Sequence, residues 1–518
     1  MKRFISNFFL LSVLLVAGLS SCTKDPVIVK AAGISLDQKT AIIRVGTPLK
    51  LTASIAPFDA TDKTVAWSSK DVAIATVSAD GTVSGVATGS TEITVKSTDG
   101  LFTDKCAVTI FPSAGSTVNL TGNITTSMTL KSDINYVLDG WVYVKSGAII
   151  TIEPGTVIKG KVDTKASLVI ERGAKIMAVG TAAKPIIFTS AKSAGSRAAG
   201  DWGGIVLCGN AKINVTGGEA EIEGGLGAKY GGTDDNDSSG SLQYVRIEFA
   251  GYAFQPDKEI NGLTFGGVGK GTTIDYIQVS FANDDSFEWF GGNVNCKHLI
   301  AFSGLDDEFD TDFGFSGYIQ YIVGLRDPLT ADISKSNGFE SDNDATGSTN
   351  TPTTNPKFAN VSLYGPLATP TTVINPLFQT SMHIRRKSNL EVYNSVFAGW
   401  PKGLLMADSK GNGGSGAQVK GCILSGMTDN FSGNAAGEQA FFEDVTRANR
   451  TIALNTDLKV TAPFNLTAPN FLPQTGSPLL TGAVTLPTGL EATDYIGAFK
   501  TTDWTAGWTN WTPKTTAY

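Results

Sequence analysis

Asn283-Asp284-Asp285-Ser286-Phe287-Glu288 recurs, slightly altered, as Leu305-Asp306-Asp307-Glu308-Phe309-Asp310. The shift that carries Asp284 onto Asp306 also carries the upstream run Tyr276-Ile277-Gln278-Val279 onto His298-Leu299-Ile300-Ala301. A looser echo, Phe339-Glu340-Ser341-Asp342, repeats Phe309-Asp310-Thr311-Asp312 after a longer interval, as a unit with an inserted loop would. Self-similarity at such a period marks stacked units, each too small to bury its apolar face alone. A unit of this length is one coil of a parallel β-solenoid, and stacking the coils brings equivalent residues into register.

The flanking sequence agrees with stacked coils. Short strand-like runs such as Ile149-Ile150-Thr151-Ile152, Leu168-Val169-Ile170, Ile205-Val206-Leu207 and Ile319-Gln320-Tyr321-Ile322 are broken by Gly, Asn and Asp. No amphipathic helix of ordinary length interrupts them, which leaves a sandwich, a propeller or a solenoid, and the repeat selects the solenoid. With 41% hydrophobic residues, 58 Gly and only 17% charged residues, the chain reads as turn-rich and globular, not disordered. The 518-residue length exceeds one compact core, so most of the chain is assigned to the array. A net charge of −7 gives no footprint for a nucleic-acid partner.

Residues 27–112 have a different texture. Leu49-Lys50-Leu51-Thr52-Ala53 and Thr91-Glu92-Ile93-Thr94-Val95 alternate, and Asp80-Gly81 marks a hairpin. Trp67-Ser68-Ser69, Val72-Ala73-Ile74-Ala75-Thr76-Val77, Asp80-Gly81-Thr82-Val83-Ser84-Gly85 and Ala87-Thr88-Gly89-Ser90-Thr91 closely resemble the group 2 bacterial Ig-like domain. That resemblance implies a spacer or adhesion module and no chemistry. Residues 113–518 resemble the right-handed, pectate-lyase-like β-helix of secreted bacterial proteins. The matching phrases are Gly147 to Ile158, Pro185-Ile186-Ile187-Phe188-Thr189-Ser190 and Trp202-Gly203-Gly204-Ile205. Gly476-Ser477-Pro478-Leu479-Leu480 and Tyr495-Ile496-Gly497-Ala498-Phe499 look like its closing coil and C-terminal cap. The fold expected is all-β, an Ig-like sandwich followed by a long parallel β-helix that hosts lyases, hydrolases, adhesins and binders alike.

At the N-terminus, Met1-Lys2-Arg3, the apolar stretch from Phe8 to Leu19 and the small pair Ser20-Ser21 lead to Cys22. These resemble the lipobox of bacterial lipoproteins. The resemblance implies that residues 1–21 are removed, that Cys22 is lipidated, and that residues 22–26 tether the protein to the outer membrane facing the exterior. No later apolar run has spanning length. The remaining cysteines, Cys106, Cys208, Cys296 and Cys422, are far apart and lack CxxC spacing, so buried single thiols are expected.

The stacked repeat is the best place for chemistry. Asp284, Asp285, Glu288, Asp306, Asp307, Glu308, Asp310 and Asp312 lie within one stretch whose sole formal cation is Lys297. In register, equivalent carboxylates would sit ~4.8 Å apart. Like charges that close raise each other's pKa unless a cation intervenes, and hard oxygens suit calcium. The alternative is a solvated acidic edge. Glu340 and Asp342 extend the candidate ligand set, and Trp289 joins it as an aromatic companion. Because neighbours on a strand face opposite ways, either Glu288 or Trp289 must be exposed or unusually buried. Two weaker calcium candidates, Asp235-Asn236-Asp237-Ser238-Ser239-Gly240 and Asp342-Asn343-Asp344-Ala345-Thr346-Gly347, match the start of an EF-hand loop. Both lack the acid at position 12, where Arg246 and Thr353 stand, so ordinary Asx turns account for them better.

No Ser-His-Asp order, G-x-S-x-G or H-E-x-x-H occurs, and the two histidines, His298 and His383, sit in strand-like runs. Pectin-cleaving β-helix hydrolases carry a Gly-His-Gly element that is missing here. Arg385-Arg386-Lys387 could supply the base of a calcium-dependent lyase or could be a solvated turn. The leading expectation is a surface lipoprotein whose β-helix binds a glycan or other nutrient, as accessory to an outer-membrane transporter. A calcium-dependent polysaccharide lyase or glycoside hydrolase is the alternative, and an adhesin or structural stalk a further one.

Overall fold

The structure, a computed structural model, describes residues 27–99, 101–255 and 258–518. The lipobox and Cys22 lie outside the described residues. The chain divides into two compact units at Ala114/Gly115. As expected it is almost entirely β, a small sandwich followed by a large parallel β-helix.

The sandwich sets a four-stranded sheet, ordered Thr40–Arg44, Thr103–Phe111, Gly89–Ser97, Val65–Ser69, beside a three-stranded one. Alternation along Gly89–Ser97 buries Ile93 and Val95 against Leu51, Val83, Val108 and Ile110. Asp80-Gly81 does turn a hairpin, pairing Val77 with Val83. Gly81 has φ +86°, and a Cβ there would collide with the Trp67 ring.

In the second unit every neighbouring pair of the 26-stranded sheet described by register is parallel. One face is built from Ser167–Ile170, Gly204–Cys208, Leu263–Val268, Phe287–Gly292, Phe309–Asp312, Phe339–Ser341, Thr380–Ile384 and Lys402–Leu405, each paired with the next. The two echoes read from the sequence are true register partners: Phe287, Phe309 and Phe339 align, as do Glu288, Asp310 and Glu340. The phenylalanines point inward and stack with ring centroids 5.4 and 5.7 Å apart.

The other two faces come from longer strands, Gly240–Glu248, Thr273–Ser280, Asn295–Phe302, Tyr318–Leu325 and Lys357–Tyr364, each bent once. The bend falls on a left-handed residue in every coil: Tyr244, Tyr276, His298, Tyr321 and Asn360, with φ between 49° and 62°. Such a backbone costs a non-glycine residue about 1–2 kcal/mol. Stacking of the side chains it aligns offsets that cost, with Tyr244 4.4 Å from Tyr276, Tyr276 4.2 Å from His298 and His298 5.0 Å from Tyr321. His298 is therefore a structural histidine, held also by Asp275 at 2.7 Å.

Residues 484–518 do not form a closing coil. They run back along the bends as a strap, because side-chain amides there pair with the strap's backbone. Asn394 holds Val484, Gln320 holds Glu491, Asn360 holds Gly497 and Gln278 holds Asn510. Trp504 and Trp508 close edge-on over the aromatic stack. All four described cysteines are buried free thiols, and burial pushes Cys208 and Cys422 up to about 12.

Trp289 settles the alternation. It is 0% exposed and stacks inward against Phe265 at 5.2 Å and Phe315 at 5.4 Å. It belongs to the core and is not the ligand-facing aromatic expected from sequence. Trp289→Ala should destabilise the β-helix by about 3–5 kcal/mol, the cost of an aromatic-sized cavity. Denaturant unfolding checks this, with Trp289→Phe expected to recover most of the loss.

Candidate functional site

Outward-pointing residues of the first face create the site. With Phe287, Phe309, Phe339 and Met382 inward, the alternate positions Glu288, Asp310, Glu340 and His383 form one outward row. The turns entering these strands bring Asp284, Asp285, Asp306 and Asp307 alongside. Part of the acidic repeat is scaffolding. Asp285 accepts from the backbone N–H of Asp307 at 2.8 Å, and Asp307 accepts from that of Asn337, so each coil's carboxylate fastens the next turn.

The row is not a solvated edge. Glu288 points away from the coil interior yet is buried, because loops from earlier in the chain cover it. Fully buried Asn261 donates its Nδ2 to Glu288 and, at 3.2 Å, to Glu223. Glu223 and Glu288 are thus joined through the Asn261 amide. The next outward residue, Phe290, lies under Tyr230 and Ile213, an apolar wall at one end of the site.

At the other end stand cations. Arg385 donates to Glu340 and to both oxygens of Asp342, at 2.8 and 3.1 Å, and Arg386 reaches Asp342 at 2.7 Å. The basic run is thus not a solvated turn; only Lys387 is exposed. Buried Arg326 pairs with Glu308 at 3.1 Å, donates to the carbonyls of Leu305 and Asp306, and lies over the Phe378 ring. It locks the turn that carries Asp306 and Asp307. Lys297 is on another face, paired with Glu491, and does not oppose the acids.

Burial is the first cause of the electrostatics here, and neighbouring carboxylates come second. Asp284, Asp285, Glu288, Asp307, Asp310 and Asp312 are held well above the ordinary carboxylate range. Asp306 is pushed up to about 6, Glu223 and Glu340 to about 7 and Glu308 to about 8. Burial and Arg385 push His383 down to about 4, so its imidazole is neutral at pH 7. Its Nε2 faces the Ala407 carbonyl at 3.3 Å and so carries the proton, leaving the Nδ1 lone pair 3.9 Å from Glu340.

Among the described residues, two carboxylate groups could hold a metal ion: Asp284, Asp285 and Asp306, and Asp285, Glu288 and Asp310, with ligand atoms within 4.8 Å of one another. All donors are hard oxygens, and one oxygen each of Asp306 and Asp310 is buried without a hydrogen-bond partner. That donor set fits calcium. The weaker candidates do not join it. Asp235 pairs with Lys212 at 2.8 Å, and Asp237 accepts the Asn210 N–H at 3.1 Å. Asp344 closes an Asx turn onto Thr346 and Ser348, whose donors hold it down at about 2. Asp342 is committed to the two arginines rather than to a cation.

Sequence reasoning missed Glu223, Asn261, Asn337 and the engagement of Arg326 and His383. Asn337 was discoverable, since it occupies the place of Asp307 in the looser echo. Glu223 had no signal, lying in an irregular loop far ahead of Glu288 in the chain.

The sequence profile of the pectate-lyase like β-helix domain matches residues 122–509, and that of the group 2 bacterial Ig-like domain residues 30–108. An Ig-like virion protein of Serratia phage KSP90 is 44% identical over 96 residues, 18% of this chain and 37% of that protein. An alpha-L-arabinofuranosidase of Bifidobacterium longum subsp. longum is 40% identical over 86 residues, 17% of this chain and 8% of the enzyme. An A type blood N-acetyl-alpha-D-galactosamine deacetylase of Flavonifractor plautii is 35% identical over 79 residues, 15% and 10% respectively. The chain thus spans well under half the length of these curated relatives, over stretches about the size of the Ig-like domain.

Proposed function

The chain belongs to the pectate-lyase like β-helix domain family, and we propose that it is a carbohydrate-active enzyme that cleaves a uronic-acid polysaccharide at the Glu288–Asp310–Glu340 row with calcium as cofactor. The observation that carries this is the division of labour within the row. Glu340, raised to about 7 by burial, keeps a proton to give near neutral pH, while Asp310 beside it presents a buried oxygen without a partner. Glu340 is the proton donor to the leaving glycosidic oxygen, steadied by Arg385 and faced by the His383 lone pair. Asp310 is the base. Calcium held by Asp284, Asp285 and Asp306 would neutralise the substrate carboxylate and favour the ionised form of Asp310, which has an oxygen within 4.8 Å of one of Asp285. Arg385 is fastened by Asp342 at 2.8 Å, which holds its guanidinium firmly charged, so it orients and does not act as a base.

The relatives named for carbohydrate chemistry support a carbohydrate ligand, though they match over short stretches. Binding without cleavage is the second reading, favoured by the commitment of Arg385 to ion pairs. Incubation with polygalacturonate in calcium separates the outcomes: new reducing ends are expected, with ultraviolet-absorbing unsaturated ends for a lyase and without them for a hydrolase. Retention of the polymer with no new ends would sink the enzyme reading and leave the binder. In the same proposal, lipid on Cys22 anchors the protein at the outer membrane facing outward, the Ig-like domain is a spacer, and a transporter nearby takes up products. Fatty-acid labelling that persists in Cys22→Ala would contradict the anchor.

A further inference from the structure

We infer that the end of the Ig-like sandwich nearest Cys22 docks on the membrane surface, with Val27, Ile28, Phe58 and Leu101 inserted among the lipids. This rests on the reading of Cys22 as the lipid anchor and goes beyond it, because it gives the spacer a seat on the bilayer.

Topology gathers the four side chains. The Ala32 N–H donates to the Ala56 carbonyl and the Thr61 N–H to that of Val29, so the entering segment runs antiparallel to the loop that holds Phe58. Lys96 pairs with Thr103 across the hairpin whose turn carries Leu101, and Thr98 of that turn donates to Thr64 at the end of the Phe58 loop. Ile28, Thr61, Thr98 and Leu101 line one hollow of about 290 Å³ between these three segments. Their apolar members are open to solvent, Val27 at 83%, Ile28 at 71%, Phe58 at 86% and Leu101 at 73%. A single exposed apolar residue is ordinary, but four on adjoining segments of one end mark a contact surface.

The tether says what covers that surface. Val27 follows Cys22 by five residues, and a chain of that length spans at most ~18 Å. A lipid on Cys22 therefore keeps this end within reach of the bilayer. Strand Thr103–Phe111 then carries the chain to the opposite end of the sandwich, where Val45 donates to the Phe111 carbonyl, ~30 Å away at the rise of a β-strand. Charge recommends no other occupant. Lys30 and Lys63 are set against Asp59, Asp62 and Asp99, so the end carries no strong charge of either sign. Asp62 and Asp99 turn back to cap their own loops, accepting from the Thr64 N–H at 2.8 Å and the Leu101 N–H at 3.2 Å. Contact with lipid is then apolar, and the tether raises the local concentration enough for a few side chains to suffice.

Quenching of tryptophan by phosphatidylcholine with brominated acyl chains tests this. The mature chain, residues 22–518, is coupled through the Cys22 thiol to a maleimide lipid in such vesicles, the other four cysteines being buried. The wild type, with its 8 tryptophans, sets the baseline. Emission added by Phe58→Trp, and separately by Leu101→Trp, is expected to shift to the blue and to lose most of its intensity to bromine. Val72→Trp, at an exposed position beyond the far end of strand Val65–Ser69, is expected to keep its emission. Circular dichroism checks that each variant is folded. Emission left unquenched at either Phe58→Trp or Leu101→Trp, or quenched equally at Val72→Trp, would overturn the inference. A blue shift without quenching would put another protein on this end, a second copy of the chain included, and would overturn it as well. Quenching at both positions with no fatty acid on Cys22 in the cell would sink the anchor and leave the docking surface; a lipidated Cys22 without quenching would do the reverse.

Discussion

Asp310→Asn is expected to lower polysaccharide cleavage by at least ~100-fold, the contribution of a positioned base, without unfolding the protein. Asp310 is the middle of the outward row, one strand from Glu288 and one from Glu340. Asn keeps its shape, so the inward Phe309 stack is undisturbed. The direction of any stability change separates catalysis from architecture. Burial and the Glu340 and Asp342 charges hold the Asp310 carboxyl well above its ordinary pKa, so the ion is disfavoured in the cation-free fold. Removing it should leave the cation-free protein as stable as the wild type or more so while cleavage disappears. A structural carboxylate would behave oppositely, losing stability first. Asp235→Asn, which breaks only a surface pair with Lys212, should leave cleavage unchanged. Initial rates of reducing-end release, with melting curves in chelator, provide both readouts.

The second large effect is on stability. Stripped of divalent cations, the β-helix should melt about 10 °C lower at pH 8 than at pH 6, a loss of several kcal/mol for a domain of this size. The sign follows from the direction of the shifts. A carboxyl whose folded pKa is raised keeps a proton that the unfolded chain gives up, so its stabilising effect is complete below the unfolded pKa and is lost as pH climbs to the folded one. Asp306 completes that loss at about 6, Glu223 and Glu340 at about 7 and Glu308 at about 8. His383 works the other way between about 4 and 6.5, since burial holds its imidazole at about 4, so starting at pH 6 leaves only the last part of its opposing effect inside the comparison. Calcium should restore the pH 8 melting point by binding the folded carboxylates. A flat melting profile from pH 6 to 8 in chelator would contradict the picture of crowded, buried acids.

Much of this fold was legible because a solenoid writes its register into the sequence. The shift that carries Phe287 onto Phe309, and the longer one that carries Phe309 onto Phe339, join paired positions on neighbouring strands. Strict alternation also required Trp289 and Glu288 to face opposite ways. Sequence could not tell which would be covered, since burial of Glu288 depends on Asn261 and Glu223, reached through loops with no periodicity. The same limit explains Arg385, whose partners Glu340 and Asp342 belong to the preceding coil, beyond a long insertion. Asp235 and Asp344 show the opposite error: an oxygen-rich spacing is cheap to write and mostly serves the turn itself. The C-terminal strap was missed because its partners, Gln278, Gln320, Asn360 and Asn394, are single amides at bends and leave no pattern in the strand that precedes them.

If the carboxylate face works on a carbohydrate through a bound cation, the initial rate of polygalacturonate cleavage at pH 7 should follow the cation when measured before chelation, in excess chelator, and after calcium is returned. Cleavage that stops in chelator and recovers with calcium is the predicted result. Cleavage that proceeds unchanged in chelator, or no cleavage in any of the three, would contradict it.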